Sequence, residues 1–407
     1  MEAATLRNVT LNDVLEIREQ HTIQKSDFMR TIPKEQVPLP TPYAILEAGY
    51  PFQEFQVTTS DGYILSLHRI PGLKGSSPTT YGPPVLLMHG LAMASTSFLA
   101  LGPSNSLGYI LADAGYDVWL GNFRGNTFSR KHTSLNPDSD QSFWHFSQDE
   151  MASQDIPSMI DFIYTKNPVK LIYIGYSQGG RTGLMAATNS AVCDKLKLMI
   201  VLASTGARTL TDAAAGRALV LSRIWTLLEF IGKPEIMSRN LGIAPVLGLI
   251  CKRKSLLSDV CALLVSKYFG TRLKGDDLYT YRQDHLPLIF ANLLDGSSAR
   301  QFSHQEQLTR GVLRKFDFGI FGNPSRYGSK EAPVYDLTTV QCPVAIYWAD
   351  NDPRTPKTDV DRIAAEIPNV VATTQVERYY FNHIDFIFAD LAKSLVYDSI
   401  VQLMSQY

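Results

Sequence analysis

The chain has 407 residues, 45% hydrophobic and 19% charged, a balance that can bury a large core. Lys and Arg total 38 against 39 Asp and Glu, a formal charge of -1, which argues against a nucleic-acid partner and a polybasic membrane arm. The length admits two or three domains, or one α/β domain carrying an inserted subdomain. No stretch reaches the roughly 20 apolar residues of a spanning helix, so no transmembrane segment is expected.

In chain order, residues 1–40 form an N-terminal extension without clear alternation. Met1 to Thr5 lacks a basic patch leading into an apolar run, so no signal peptide is visible. One glycosylation sequon, Asn8-Val9-Thr10, lies in this extension. Three prolines between Pro38 and Pro42 are expected to break regular structure and act as a linker. Phe55 to Thr59 and Tyr63 to Ile70 flank the turn Ser60-Asp61-Gly62 and predict a β-hairpin.

From Val85 the pattern changes to short continuous apolar runs: Val85 to Met88, Tyr116 to Leu120, Leu171 to Gly175, Leu198 to Leu202 and Val344 to Trp348. Such runs read as strands buried on both faces of a parallel sheet, with helices such as Ser158 to Tyr164 between them. The expected architecture is α/β, with a mostly parallel central sheet. The rhythm fails between Thr209 and Tyr335, where Leu, Ile and Phe recur without a strand series. This predicts a core in two parts, 41–208 and 336–407, interrupted by a helical cap or lid at 209–335 over the carboxyl edge of the sheet, where open α/β sheets bind ligands. Of the four cysteines, Cys251 and Cys261 are close enough to staple a short loop, and Cys193 and Cys342 read as small core residues. None has zinc spacing, and no metal is expected.

The sharpest motif is Gly175-Tyr176-Ser177-Gln178-Gly179, a G-x-S-x-G directly after a buried run and before a helix expected over Arg181 to Ala187. Small residues allow a tight strand-to-helix turn that projects the Ser177 hydroxyl. The Gln178 N–H then borders the space where an oxyanion would form. His89-Gly90-Leu91 ends an upstream strand, and Leu91 is the candidate for a second oxyanion N–H, with His89 a structural loop residue. Asp352 follows the run Val344 to Trp348. Asp350 competes with it, but the following Pro353-Arg354-Thr355-Pro356 resembles the turn after the acid residue in many such hydrolases and favours Asp352. His383 lies near the C-terminus, after both acids. The order Ser177, Asp352, His383 is the order of this fold's serine hydrolases. In the expected chemistry His383 takes the Ser177 proton, Asp352 orients the imidazole, and an acyl-enzyme forms and is released by water. No organic cofactor is called for.

These residues also carry a resemblance. The chain resembles the acid lipases, the family of gastric and lysosomal lipases, in Glu47 to Pro51, Thr59 to Leu65, His89-Gly90-Leu91, Leu111 to Asn122, Arg124 to Thr127, Asp149 to Ala152, Ser177-Gln178-Gly179 and Asn382 to Phe386. The resemblance runs from about residue 40 to the C-terminus. It implies an α/β-hydrolase fold and cleavage of carboxylic esters of lipids, triacylglycerols and in some members sterol esters, at a lipid–water interface beneath a mobile lid. It places the nucleophile at Ser177, the acid at Asp352, the base at His383, the oxyanion donors at Leu91 and Gln178, and a cap disulfide at Cys251 and Cys261. Gly180 stands where the family often has Thr. The family implies a secreted or lysosomal address, whereas the visible N-terminus leaves a cytoplasmic or lipid-droplet address as the alternative. Two other functions are compatible with this reading: an acyltransferase resolving the same acyl-enzyme with an alcohol, and a non-catalytic lipid-binding homologue.

Overall fold

A computed structural model of the chain describes residues 39–76, 82–237, 269–270 and 286–407. Ten strands occur in the described residues: β1 Gln53–Thr58, β2 Ile64–Ile70, β3 Pro84–Met88, β4 Asp117–Gly121, β5 Leu171–Tyr176, β6 Leu196–Leu202, β7 Glu235–Ile236, β8 Ser297–Ser298, β9 Val344–Trp348 and β10 Val370–Gln375. Eight of them form one sheet in the order β1-β2-β4-β3-β5-β6-β9-β10. From β4 to β10 every pairing is parallel, and β1 and β2 add an antiparallel hairpin at one edge. The hairpin pairs Thr58 with Ile64 across the expected turn.

The five apolar runs are β3, β4, β5, β6 and β9, and β3, β4, β5 and β9 are buried at every position. Alternate residues feed opposite layers because successive side chains of a strand point to opposite faces. Leu87, Val118, Ile174 and Ile200 enter one cluster, and Leu86, Trp119, Tyr173 and Met199 the other. The helix Ile156–Lys166 buries Ile156, Met159, Ile160 and Ile163, the spacing that sets one apolar stripe against the sheet. Strand β10 was not foreseen. It is an edge strand of alternating burial, Val-Val-Ala-Thr-Thr-Gln, and half of its side chains meet solvent.

Two expectations are corrected. Pro40 and Pro42 do not simply break structure: Thr41–Glu47 is a helix with Pro40 at its N-cap and Pro42 in its first turn. There the missing N–H costs nothing, because the first amides of a helix have no partner within it. Cys193 and Cys342 are buried, as expected of core residues, but they are joined in a disulfide across 149 residues. The staple proposed for Cys251 and Cys261 lies outside the described residues.

Between β6 and β9 the chain leaves the sheet. Its described parts include the helices Asp212–Phe230, Leu286–Leu293, Ala299–Gln307 and Gly319–Tyr327. A two-residue pairing of β7 with β8 lies among them, a small exception to an all-helical insertion. The Cys193–Cys342 bond closes the base of this excursion. No described helix is long and apolar enough to cross a membrane.

Candidate active site

Ser177 sits between the last residue of β5 and the first residue of the helix Gln178–Ala187, at φ 53° and ψ -113°. A positive φ in a non-glycine residue is strained and persists only where its surroundings over-determine it. They do so here. The Ser177 N–H donates to the Leu202 carbonyl at 2.8 Å. A Cβ on Gly175 would lie 2.5 Å from the Gly179 backbone, and one on Gly179 would lie 2.2 Å from the Met88 carbonyl oxygen. Strand and helix therefore cross at a separation only glycine permits. Gly180 is similarly enclosed: its Cβ would stand 2.9 Å from both the Gly175 carbonyl oxygen and Val201.

The structure brings Ser177, His383 and Asp352 into one hydrogen-bonded row. His383 Nε2 lies 2.8 Å from Ser177 Oγ, and His383 Nδ1 lies 2.7 Å from Asp352 Oδ2. A carboxylate only accepts, so Nδ1 donates and Nε2 is left to accept the serine proton. Asp352 is buried and also accepts from the Arg354 backbone N–H at 2.8 Å and from Thr355 Oγ1 at 2.6 Å. Those bonds fix its carboxylate. Asp350, by contrast, is exposed and accepts from Gln375 Nε2, away from His383. The imidazole stacks against Phe269 with ring centres 5.9 Å apart and planes 10° apart, and Tyr176 lies on it at 5.4 Å. Tyr176 also donates its hydroxyl to the His383 carbonyl at 3.0 Å, and the His383 N–H donates to the Phe269 carbonyl.

Leu91 lines the cavity in front of Ser177, and Gln178 is the first residue of the helix, where a backbone N–H has no intrahelical acceptor. The loop carrying Leu91 is pinned from behind. His89 donates from Nδ1 to the Gly90 carbonyl at 2.9 Å and accepts the Phe123 N–H at Nε2. Burial pushes the His89 imidazole down to about 4, so it stays neutral and structural. Ala92 takes φ 54°, and its carbonyl accepts the N–H of Asp295 from the insertion at 2.9 Å. Asp295 in turn accepts from the Thr127 N–H and hydroxyl, both at 2.8 Å. The loop after β4 is held by buried Arg124, whose guanidinium pairs with Asp155 at 2.7 Å and Asp61 at 2.6 Å.

The cavity in front of Ser177 has a volume of about 220 Å³. The core contributes Leu91, Met93, Ser177 and His383, and the insertion contributes Phe290, Leu293, Leu294 and Phe302. Its walls are mostly apolar, which suits an apolar chain, and Ser177 and His383 border it. Among the described residues no cluster of His, Cys, Asp or Glu could hold a metal ion.

Several contributors were not foreseen from sequence: Tyr176 and Phe269 around the imidazole, Asp295 behind the Leu91 loop, and Gln305 on the cavity wall with Arg181 behind it. Only Arg181 carried a usable signal, a charge on an otherwise small and apolar helix after the serine.

Residues 41–102 match the partial alpha/beta-hydrolase lipase region, and residues 83–233 match the alpha/beta hydrolase fold. Gastric triacylglycerol lipase of Bos taurus is 35% identical over 364 residues, covering 88% of this chain and 89% of that protein. The chain belongs to the acid lipase family. Like its family, it is a carboxylic ester hydrolase of the lipase class. Lipase member K of Homo sapiens is 34% identical over the same share of each chain. A thermophilic esterase from Thermogutta terrifontis shares the fold at 14% identity, with a TM-score of 0.51 over 87% of this chain and 98% of that one. The α/β-hydrolase fold of this acid lipase thus agrees with the architecture expected from its strand pattern.

Proposed function

We propose that this acid lipase hydrolyses triacylglycerols, with sterol esters as a second substrate class, through an acyl-enzyme on Ser177. The observation that carries this reading is the Ser177–His383–Asp352 row, with bonds of 2.8 and 2.7 Å, opening on an apolar cavity. His383 Nε2 takes the hydroxyl proton as Ser177 Oγ attacks the ester carbonyl carbon. The Leu91 and Gln178 N–H groups carry the negative charge of the tetrahedral intermediate, a contribution of roughly 10²–10³ in rate per donor. The intermediate collapses, His383 returns the proton to the leaving alcohol, and the acyl group stays on Ser177. Water then repeats the sequence and releases the fatty acid. Asp352, held by the Arg354 N–H and the Thr355 hydroxyl, orients and stabilises the imidazolium.

In the same reading residues 209–335 form the cap, between core segments 41–208 and 336–407. Phe290, Leu293 and Phe302 on the cavity wall support that placement. A secreted or lysosomal compartment is the proposed address, supported by the Cys193–Cys342 disulfide, which persists in oxidising surroundings.

The test is a hydrolysis series of tri-, di- and monoacylglycerols, a cholesteryl ester and short soluble esters. Emulsified triacylglycerol is expected to be cleaved by the wild type, with fatty acid as product. Cleavage of short soluble esters alone, or transfer of the acyl group to added alcohol in place of water, contradicts the reading.

A further inference from the structure

Gln305 lies on the helix Ala299–Gln307, is 5% exposed, and borders the cavity in front of Ser177. Its Oε1 accepts a hydrogen bond from Arg181 Nη1. A guanidinium has donors and no acceptor, so this contact decides which end of the carboxamide is which: Oε1 faces Arg181 and the NH2 group faces away. Arg181 cannot easily yield. It is buried, its Nε donates to the Gly206 carbonyl, and its Nη1 also reaches Gln148 Oε1 at 3.4 Å. Burial, with Arg208 and Arg354 nearby, pushes its guanidinium down to about 9, which leaves it protonated and donating at neutral pH.

Among the described residues no acceptor bonds Gln305 Nε2, and that atom is not sealed in the protein interior. The wall beside it is apolar, with Phe302, Phe290 and Leu293. A donor presented to such a cavity gains a partner only from what enters it, and a substrate that offers none leaves it unsatisfied.

We propose that Gln305 is a specificity-determining residue whose Nε2 donates to a second acceptor oxygen of the substrate, beyond the scissile ester group. The site then selects esters that carry such an oxygen over esters that present only hydrocarbon there. The inference rests on the cavity being the ester site. The second oxygen has two sources: another ester carbonyl on the alcohol part, as in an acylated polyol, or an oxygen within the acyl chain.

The experiment compares kcat/KM within two matched pairs. One pair is a diol diester and the monoester in which the second ester is replaced by methylenes. The other is a keto-acyl ester and its plain acyl counterpart. The wild type is expected to prefer the oxygenated member of one pair by roughly threefold to tenfold, the net worth of one hydrogen bond. The pair that shows the preference identifies the source. Gln305→Glu retains an acceptor for Arg181 and removes the donor. Gln305→Leu removes both. In each variant the ratio is expected to fall to about one. Equal rates within both pairs in the wild type overturn the inference while leaving ester hydrolysis intact. So does a preference that survives Gln305→Glu. Failure to hydrolyse any of the four esters overturns the ester-site reading and this inference with it. If neither variant folds, the wild-type ratios alone decide.

Discussion

Ser177 holds a backbone conformation costing about 1–3 kcal/mol, and the glycines that enforce it are buried where no side chain fits. Replacing the hydroxyl leaves those contacts intact. Ser177→Ala is therefore expected to fold normally by circular dichroism and to lose about 10⁴-fold or more in kcat. A folded variant keeping a tenth of wild-type activity removes the serine from the mechanism. The two acids separate in the same way. Asp352→Asn puts a donor where His383 Nδ1–H needs an acceptor, and kcat is expected to fall by about 10⁴-fold. Asp350→Asn changes only an exposed contact with Gln375 and should stay within about twofold of wild type. The reverse ranking contradicts the geometry. His89 offers a test by pH. Its folded pKa, about 4, lies below the ordinary 6.5, so the unfolded chain binds the extra proton first as pH falls. The stability it supports is complete above pH 6.5 and is lost as pH drops toward 4. Urea unfolding from pH 7 to 4 should show a shallower decline in His89→Gln than in the wild type, and equal slopes count against a neutral buried imidazole.

The Cys193–Cys342 bond joins the short helix Ser190–Cys193 to the residues just before β9, and every residue of the insertion lies within the loop it closes. A loop of 149 residues corresponds to about 5 kcal/mol of chain-entropy stabilisation, an upper figure for the real effect. Cys193→Ser or reduction is expected to lower Tm by several degrees, and an unchanged Tm denies the bond a structural role. This element also shows what was legible in the sequence. The buried strands were readable because strands covered on both faces become continuous apolar runs, and the serine elbow was readable because its spacing is local. The disulfide was not, because partners so far apart share no spacing. Strand β10 was missed because Thr373 and Thr374 dilute its apolar alternation at a solvent-facing edge. The proline cluster was misread because prolines stop a helix in its interior and are accommodated in its first turn. Arg181 and Gln305 escaped because their meeting depends on how the insertion returns to the core, across 124 residues.

At the scale of the molecule, described residues of the insertion line the cavity, and others present apolar surface outward. The helix Asp212–Phe230 buries Ala215, Ala218 and Ser222, while Val220 is 59%, Leu227 56% and Phe230 86% exposed. Among the described residues these side chains are left facing outward. Apolar area left in water costs about 25 cal/mol per Å², and a lipid surface removes that cost. Activity on a short ester is expected to rise steeply once substrate exceeds its solubility limit. A smooth hyperbola through that limit contradicts a surface-dependent cap and leaves the Ser177–His383–Asp352 row untouched. The central claim, an acyl-enzyme on Ser177, is tested most directly by a long-chain alkyl phosphonate ester, which phosphorus holds in a stable likeness of the tetrahedral intermediate. Peptide mass mapping after stoichiometric treatment should find one phosphonyl group per chain, on Ser177, with hydrolysis lost in proportion. Full hydrolytic activity with Ser177 unmodified, or inactivation by labelling at another residue, contradicts the account.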